Sequence, residues 1–257
     1  MKFDVLLFVA LLIVCPEIRA TSIVLLASKT QIGIAADHKA ERTNGSSLPD
    51  VCKIMHHRDF FFALAGTVSQ GDSYDTRYNA MDILIRASAG LDDLDAIDQR
   101  FDQLIVAPLQ TQVTYDFQHF PNWFLEQRHL KEPPALEMAV FQITPAGPVM
   151  VECVSDDVSE GIGKNWQPYH HSCKAGEGEC RLTVGSQDGM KEYLDEHPFT
   201  DDLAADAQRL VEFEALRRPK DVGGRITVLL IDNTGVHPAD TRDKCPVEWR
   251  SKPPATH

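Results

Sequence analysis

The amino-acid sequence predicts an α+β fold organised around a sheet buried inside a sandwich. Two hairpins of apolar strands fill residues 22–65, helical periodicity takes over from about residue 74, and a hairpin, a strand, two helices and a closing strand make up the latter half. Four strands rich in Val, Ile, Leu and Phe by residue 65 suit a sheet covered on both faces.

The elements follow in order. Residues 22–27 and 32–36 are apolar runs on either side of Ser28-Lys29-Thr30-Gln31. Residues 38–50 are polar and contain Asn44-Gly45-Ser46, a loop signature and a glycosylation sequon in a eukaryotic secretory route. The second hairpin pairs 51–55 with 60–65 across His56-His57-Arg58-Asp59. A turn over 66–72 leads to a helix carrying Tyr74, Tyr78, Met81 and Ile85, which Gly90 ends. Leu91-Asp92-Asp93 opens another helix with Leu94, Ile97, Phe101, Leu104 and Ile105. The aromatic-rich stretch 115–134 reads as core cover. A third hairpin joins 136–143 to 149–154. Residues 155–180 read as a long polar loop, either a disulfide-tied surface excursion or a lid or assembly block. A short strand over 181–184 runs into Gly185-Ser186. Helices follow near 187–196 and 201–218, with Thr200-Asp201-Asp202 as cap. Gly223-Gly224 precedes a strand over 225–232 that Gly235 turns, and 240–257 reads as a loose, Pro- and charge-rich tail.

A formal charge of −13 over 257 residues argues against nucleic acid and anionic membrane surfaces as partners, since both need clustered Lys and Arg. The apolar run VLLFVALLIVC over 5–15 is too short to span a bilayer comfortably. Lys2 precedes it, Pro16 breaks it, and Ala20 offers a small residue for cleavage, so residues 1–20 read as a signal peptide and the mature chain as exported.

Cleavage after Ala20 makes Thr21 the N-terminus. Such a threonine holds a nucleophile and a base together: the hydroxyl attacks and the α-amine takes its proton. Asp37 lies 37 − 21 = 16 positions on, and Lys53 lies 53 − 21 = 32 positions on. Val51 and Ile54 flank Lys53 and draw it at least partly into the interior, where it needs a carboxylate that Asp37 can supply.

Thr21-Ser22-Ile23-Val24, Ala35-Ala36-Asp37 and Cys52-Lys53-Ile54 fall on one register, and there the chain resembles the proteasome β-subunits and the bacterial HslV peptidases. Gly185-Ser186, Gly223-Gly224, Ile226-Thr227-Val228 and Gly235 extend the resemblance over about three quarters of the mature chain. It implies a four-layer αββα sandwich of two antiparallel sheets, an N-terminal-nucleophile (Ntn) hydrolase domain over 21–239. It further implies that the Gly66 amide serves an oxyanion, that Ser186 bonds the threonine amine, and that Asp221 completes the set. Asp221 stands two residues closer to the Gly-Gly than the family's aspartate, and the family's second serine is missing.

The implied activity is hydrolysis of amide bonds, in peptides first, through an acyl-enzyme on Thr21. A non-peptide amidase and a catalytically silent assembly subunit are the competing readings. No cofactor is expected, because no Walker loop, dinucleotide fingerprint or His-Glu-x-x-His helix is present. Export away from ATP points to unfolded or short substrates and to a monomer or a small homo-oligomeric ring with an open site. His170, His171, Cys173 and Cys180 match no common zinc spacing, and an oxidising compartment favours a Cys173–Cys180 disulfide. Five cysteines remain after cleavage, so at least one thiol is left over or pairs between chains.

Overall fold

The computed structural model describes residues 21–41, 47–48, 51–66, 68, 78–119, 121, 136–157, 166–174, 178–186, 188–240, 242–243 and 245–248. Residues 1–20, read as a signal peptide, and the Asn44 sequon lie outside these residues. Strands β1 (Ser22–Ala27) and β2 (Gln31–Asp37) form the first hairpin. Short β3 (Ala40–Glu41) and β4 (Ser47–Leu48) pair with each other. The second hairpin is β5 (Ile54–His57) with β6 (Phe60–Gly66), and its turn narrows to Arg58-Asp59, with Arg58 at φ 54°. Helix α1 is Ala80–Ser88, its first turn capped by the Asn79 side chain. Helix α2 (Leu94–His119) runs through Pro108 and so takes in residues 115–119 of the aromatic stretch.

The third hairpin, β7 (Leu136–Thr144) and β8 (Gly147–Asp157), turns on two residues. The expected loop over 155–180 holds β9 (Trp166–Cys173), which pairs with β8. This corrects the sequence reading. Residues WQPYHHSC carry a proline and little apolar periodicity, which a strand tolerates at a sheet edge, where one side makes no ladder. There follow β10 (Cys180–Gly185), α3 (Asp188–Glu196), α4 (Leu203–Arg217), β11 (Ile226–Asp232), β12 (Gly235–Pro238) and β13 (Val247–Glu248).

The strands make two main sheets, in the orders β10-β1-β2-β11-β12 and β13-β5-β6-β7-β8-β9. Every pairing in them is antiparallel except the two-residue β13–β5 contact. The result is an α+β, sandwich-like fold. The pleat sorts side chains by parity. Ile23, Leu25, Ile34, Ala63, Ala139 and Phe141 share one apolar cluster drawn from both sheets. Phe62, Leu64, Met138 and Val140 pack instead with Leu84, Phe101 and Ile105 of α1 and α2. Val24, Leu26 and Ala35 pack with Leu210 and Val211 of α4. Leu104 of α2 is 37% exposed.

Part of the segment expected to be a loose tail is tied to the second sheet. Cys245 is bonded to Cys52, and β13 pairs with β5. Cys173 and Cys180 are bonded as expected, while Cys153 is outside any disulfide. These bridges are compatible with an exported protein. No helix among the described residues is long and apolar enough to cross a membrane.

Candidate active site

Thr21 stands just ahead of β1 and is buried. Its carbonyl accepts the Ser186 amide at 2.7 Å, which continues the β1–β10 ladder past its Ser22–Gly185 pair. Gly185 has φ 88°, and a Cβ on it would collide with the Thr21 carbonyl and sit 3.3 Å from the Ala65 Cβ. Ala65, the residue before Gly66 near the end of β6, therefore meets the junction of Thr21 and Gly185. Gly66 itself has φ 88° and lies half-buried where β6 ends. Gly185→Ala combines a left-handed backbone with a clash against the Thr21 carbonyl. We expect it to cost about 3 kcal/mol or more, read as a lowered urea midpoint at unchanged slope.

Asp37 ends β2 opposite Ile226 of β11 and has no exposed surface. Its Oδ1 accepts the Ser22 amide at 2.8 Å and the Lys53 ammonium at 2.6 Å. Its Oδ2 accepts the amides of Lys39 at 3.2 Å and Gly223 at 3.1 Å. Four donors fix the carboxylate, and the turn before β11 thereby joins the site. Lys53 is 2% exposed. Burial lowers its pKa from 10.5 to about 8, and the Asp37 charge and hydrogen bond oppose that fall.

Ser186 follows Gly185 and is also buried. Its carbonyl accepts the Ser22 hydroxyl at 3.2 Å. Its own hydroxyl hydrogen-bonds the carboxylate of Glu214, whose other oxygen accepts the Gly189 amide at 2.7 Å. Asp221 does not touch Ser186 among the described contacts. It pairs with Arg218 at 3.0 Å, and Arg218 donates to the Ser186 hydroxyl at 3.2 Å. The carboxylate beside Ser186 is thus Glu214, which the sequence reading passed over. A signal was present: Glu214 falls on the α4 face of Ala207, Leu210 and Val211, where a fully buried carboxylate stands out. Glu137 was missed too. It is buried in β7 and accepts the Gly185 amide.

Thr21, Asp37, Lys53 and Ser186 are thereby joined through the Thr21-Ser22 backbone, Ala65 next to Gly66 abuts that junction, and Asp221 is linked to Ser186 through Arg218. The Thr21 hydroxyl is buried and makes no hydrogen bond among the described residues.

No protein-family model matches the chain, and no curated protein sequence matches it. Among solved structures, it is similar to the Gly-1 mutant of Anbu from Hyphomicrobium sp. strain MC1, with 13% identity over 87% of this chain and 89% of that one and a TM-score of 0.48.

The titration of this site has a definite sign. If the ammonium form of Lys53 is the working one, activity falls as pH rises through about 8. A free α-amine acting as base requires the opposite limb, rising through about 7.7–8.0. The expected pH–rate profile is a narrow bell centred near pH 8. Stability runs differently. The folded pKa of Lys53 lies below the unfolded value, so the unfolded chain binds more protons between about 8 and 10.5, and this residue's contribution to stability rises with pH across that window.

Proposed function

We propose that the chain is an exported Ntn-type threonine hydrolase that cleaves amide bonds, in peptides first, through an acyl-enzyme on Thr21. In this reading residues 1–20 are the removable signal peptide and residues 21–239 the catalytic domain, a four-layer αββα sandwich. The observation that carries it is the shared oxygen of Asp37. One buried Oδ1 holds the Ser22 amide and the Lys53 ammonium together, so the cation lies beside the backbone of the threonine that cleavage would free.

The chemistry is then as follows. The Thr21 hydroxyl attacks the substrate carbonyl, and its proton passes to the α-amine. The Gly66 amide donates to the oxyanion, and the Lys53 ammonium favours the alkoxide at Oγ1. The α-amine hands the proton to the leaving amine as the C–N bond breaks, which leaves an ester on Oγ1. Water, deprotonated by the same amine, cleaves that ester and returns the proton to Oγ1. Ser186, oriented by Glu214 and Arg218, holds the start of the chain.

Secreted protein should have an intact mass that begins at Thr21 and should hydrolyse a panel of fluorogenic peptides or small amides. A mature chain that begins elsewhere, or that hydrolyses neither class, overturns the proposal.

A further inference from the structure

A second cluster of reactive side chains lies on the other sheet, where α2 crosses β8 and β9. Asp98 and Asp102 are one turn apart on α2. Cys153 of β8 and His170 of β9 are direct cross-strand partners. One donor atom from each of the four lies within 4.8 Å of all the others. The His170 Nδ1 is 2.5 Å from Asp98 Oδ2, and its Nε2 is 2.8 Å from Asp102 Oδ2. The Cys153 thiol donates to Asp102 Oδ1 at 2.8 Å.

Contacts among the four leave one atom unexplained. Asp98 is only 3% exposed, yet its Oδ1 is buried without any hydrogen-bond partner. An orphaned carboxylate oxygen normally costs stability, and a bound cation removes that cost. Two further His/Cys groupings exist among the described residues, but Cys173, Cys180 and Cys245 are spent in disulfides. Here Cys153 is outside any disulfide.

We infer that Asp98, Asp102, Cys153 and His170 form a binding site for a divalent transition-metal ion, zinc before others. Thiolate and imidazole donors select against magnesium and calcium, and a thiolate–imidazole–dicarboxylate set suits tetrahedral zinc. The half-exposed His170 gives the ion a way in. Four protein donors close the coordination shell, so the role is structural. The ion clamps α2 to β8 and to the edge strand β9, whose last residue, Cys173, is tied to Cys180 by a disulfide.

Cobalt(II) is the probe. Untagged full-length mature protein, stripped with chelator and with Cys153 verified as reduced, should take up one equivalent of cobalt. The complex should show visible ligand-field bands and a thiolate-to-cobalt charge-transfer band, and zinc should displace the cobalt. Cys153→Ser should remove the charge-transfer band. His170→Ala, a change at a half-exposed side chain, should weaken zinc binding by at least about a hundredfold while circular dichroism stays unchanged. Zinc should also raise the melting temperature of the wild type but not of His170→Ala. Wild type that binds no cobalt, or binding indifferent to both substitutions, overturns the inference. None of these readouts uses hydrolysis, so the result is independent of the reading of Thr21.

Discussion

Thr21→Ala should abolish hydrolysis, by at least about 10⁴-fold in kcat/KM, and leave the protein folded. Alanine keeps the α-amine and the backbone that the Ser186 amide and the Asp37-bound Ser22 amide hold. It removes a hydroxyl that makes no hydrogen bond among the described residues, so the fold loses little. Thr21→Ser should keep a measurable part of the rate. Serine retains both hydroxyl and amine and loses only the methyl that restricts χ1. Progress curves on fluorogenic peptides, with thermal melts as control, separate the two effects. Wild-type rates from folded Thr21→Ala would remove Thr21 from the chemistry.

The second large effect is expected at Asp37. Asp37→Asn takes the carboxylate charge 2.6 Å away from a lysine that is 2% exposed, which breaks a buried ion pair. Such a loss costs about 3–5 kcal/mol. It should also push the pKa of Lys53 further down, because the Asp37 charge and hydrogen bond that oppose the effect of burial are lost. Hydrolysis should then fall about a thousandfold, the magnitude for losing a charge that stabilises the developing alkoxide. A double variant separates the two roles. Asp37→Asn with Lys53→Met should recover stability, because neither charge is left buried, and should recover no activity. Recovery of both would reduce the pair to a structural ion pair.

The reach of the sequence differs between parts of the molecule for physical reasons. The hairpins were legible because apolar runs broken by short polar turns are local signals, and β1, β2, β6 and β7 follow them closely. The contact between Asp37 and Lys53 was legible because a lysine flanked by Val51 and Ile54 needs a carboxylate in the interior, and the two meet at 2.6 Å. Strand β9 was not, since an edge position excuses its polar residues and Pro168 from the pattern that marks a buried strand. The Cys52–Cys245 bridge spans 193 positions, which no local rule reaches, and so the C-terminal segment was read as loose. Glu214 and Arg218 owe their place beside Ser186 to the packing of α4, a tertiary relation that the spacing to Gly223-Gly224 could not supply. Asp221 was assigned by the resemblance although it stands two residues closer to Gly223-Gly224 than the family's aspartate, and among the described contacts it pairs with Arg218.

The most direct test of the central claim is to trap the acyl-enzyme. Mature protein would be treated with a slowly deacylating activated ester or an electrophile directed at N-terminal nucleophiles, then digested and mapped by mass spectrometry. The account predicts a single stoichiometric adduct on the N-terminal peptide, at Thr21, which Thr21→Ala does not form. An adduct at any other residue, or sustained amide hydrolysis from a protein whose Thr21 is never modified, would contradict it.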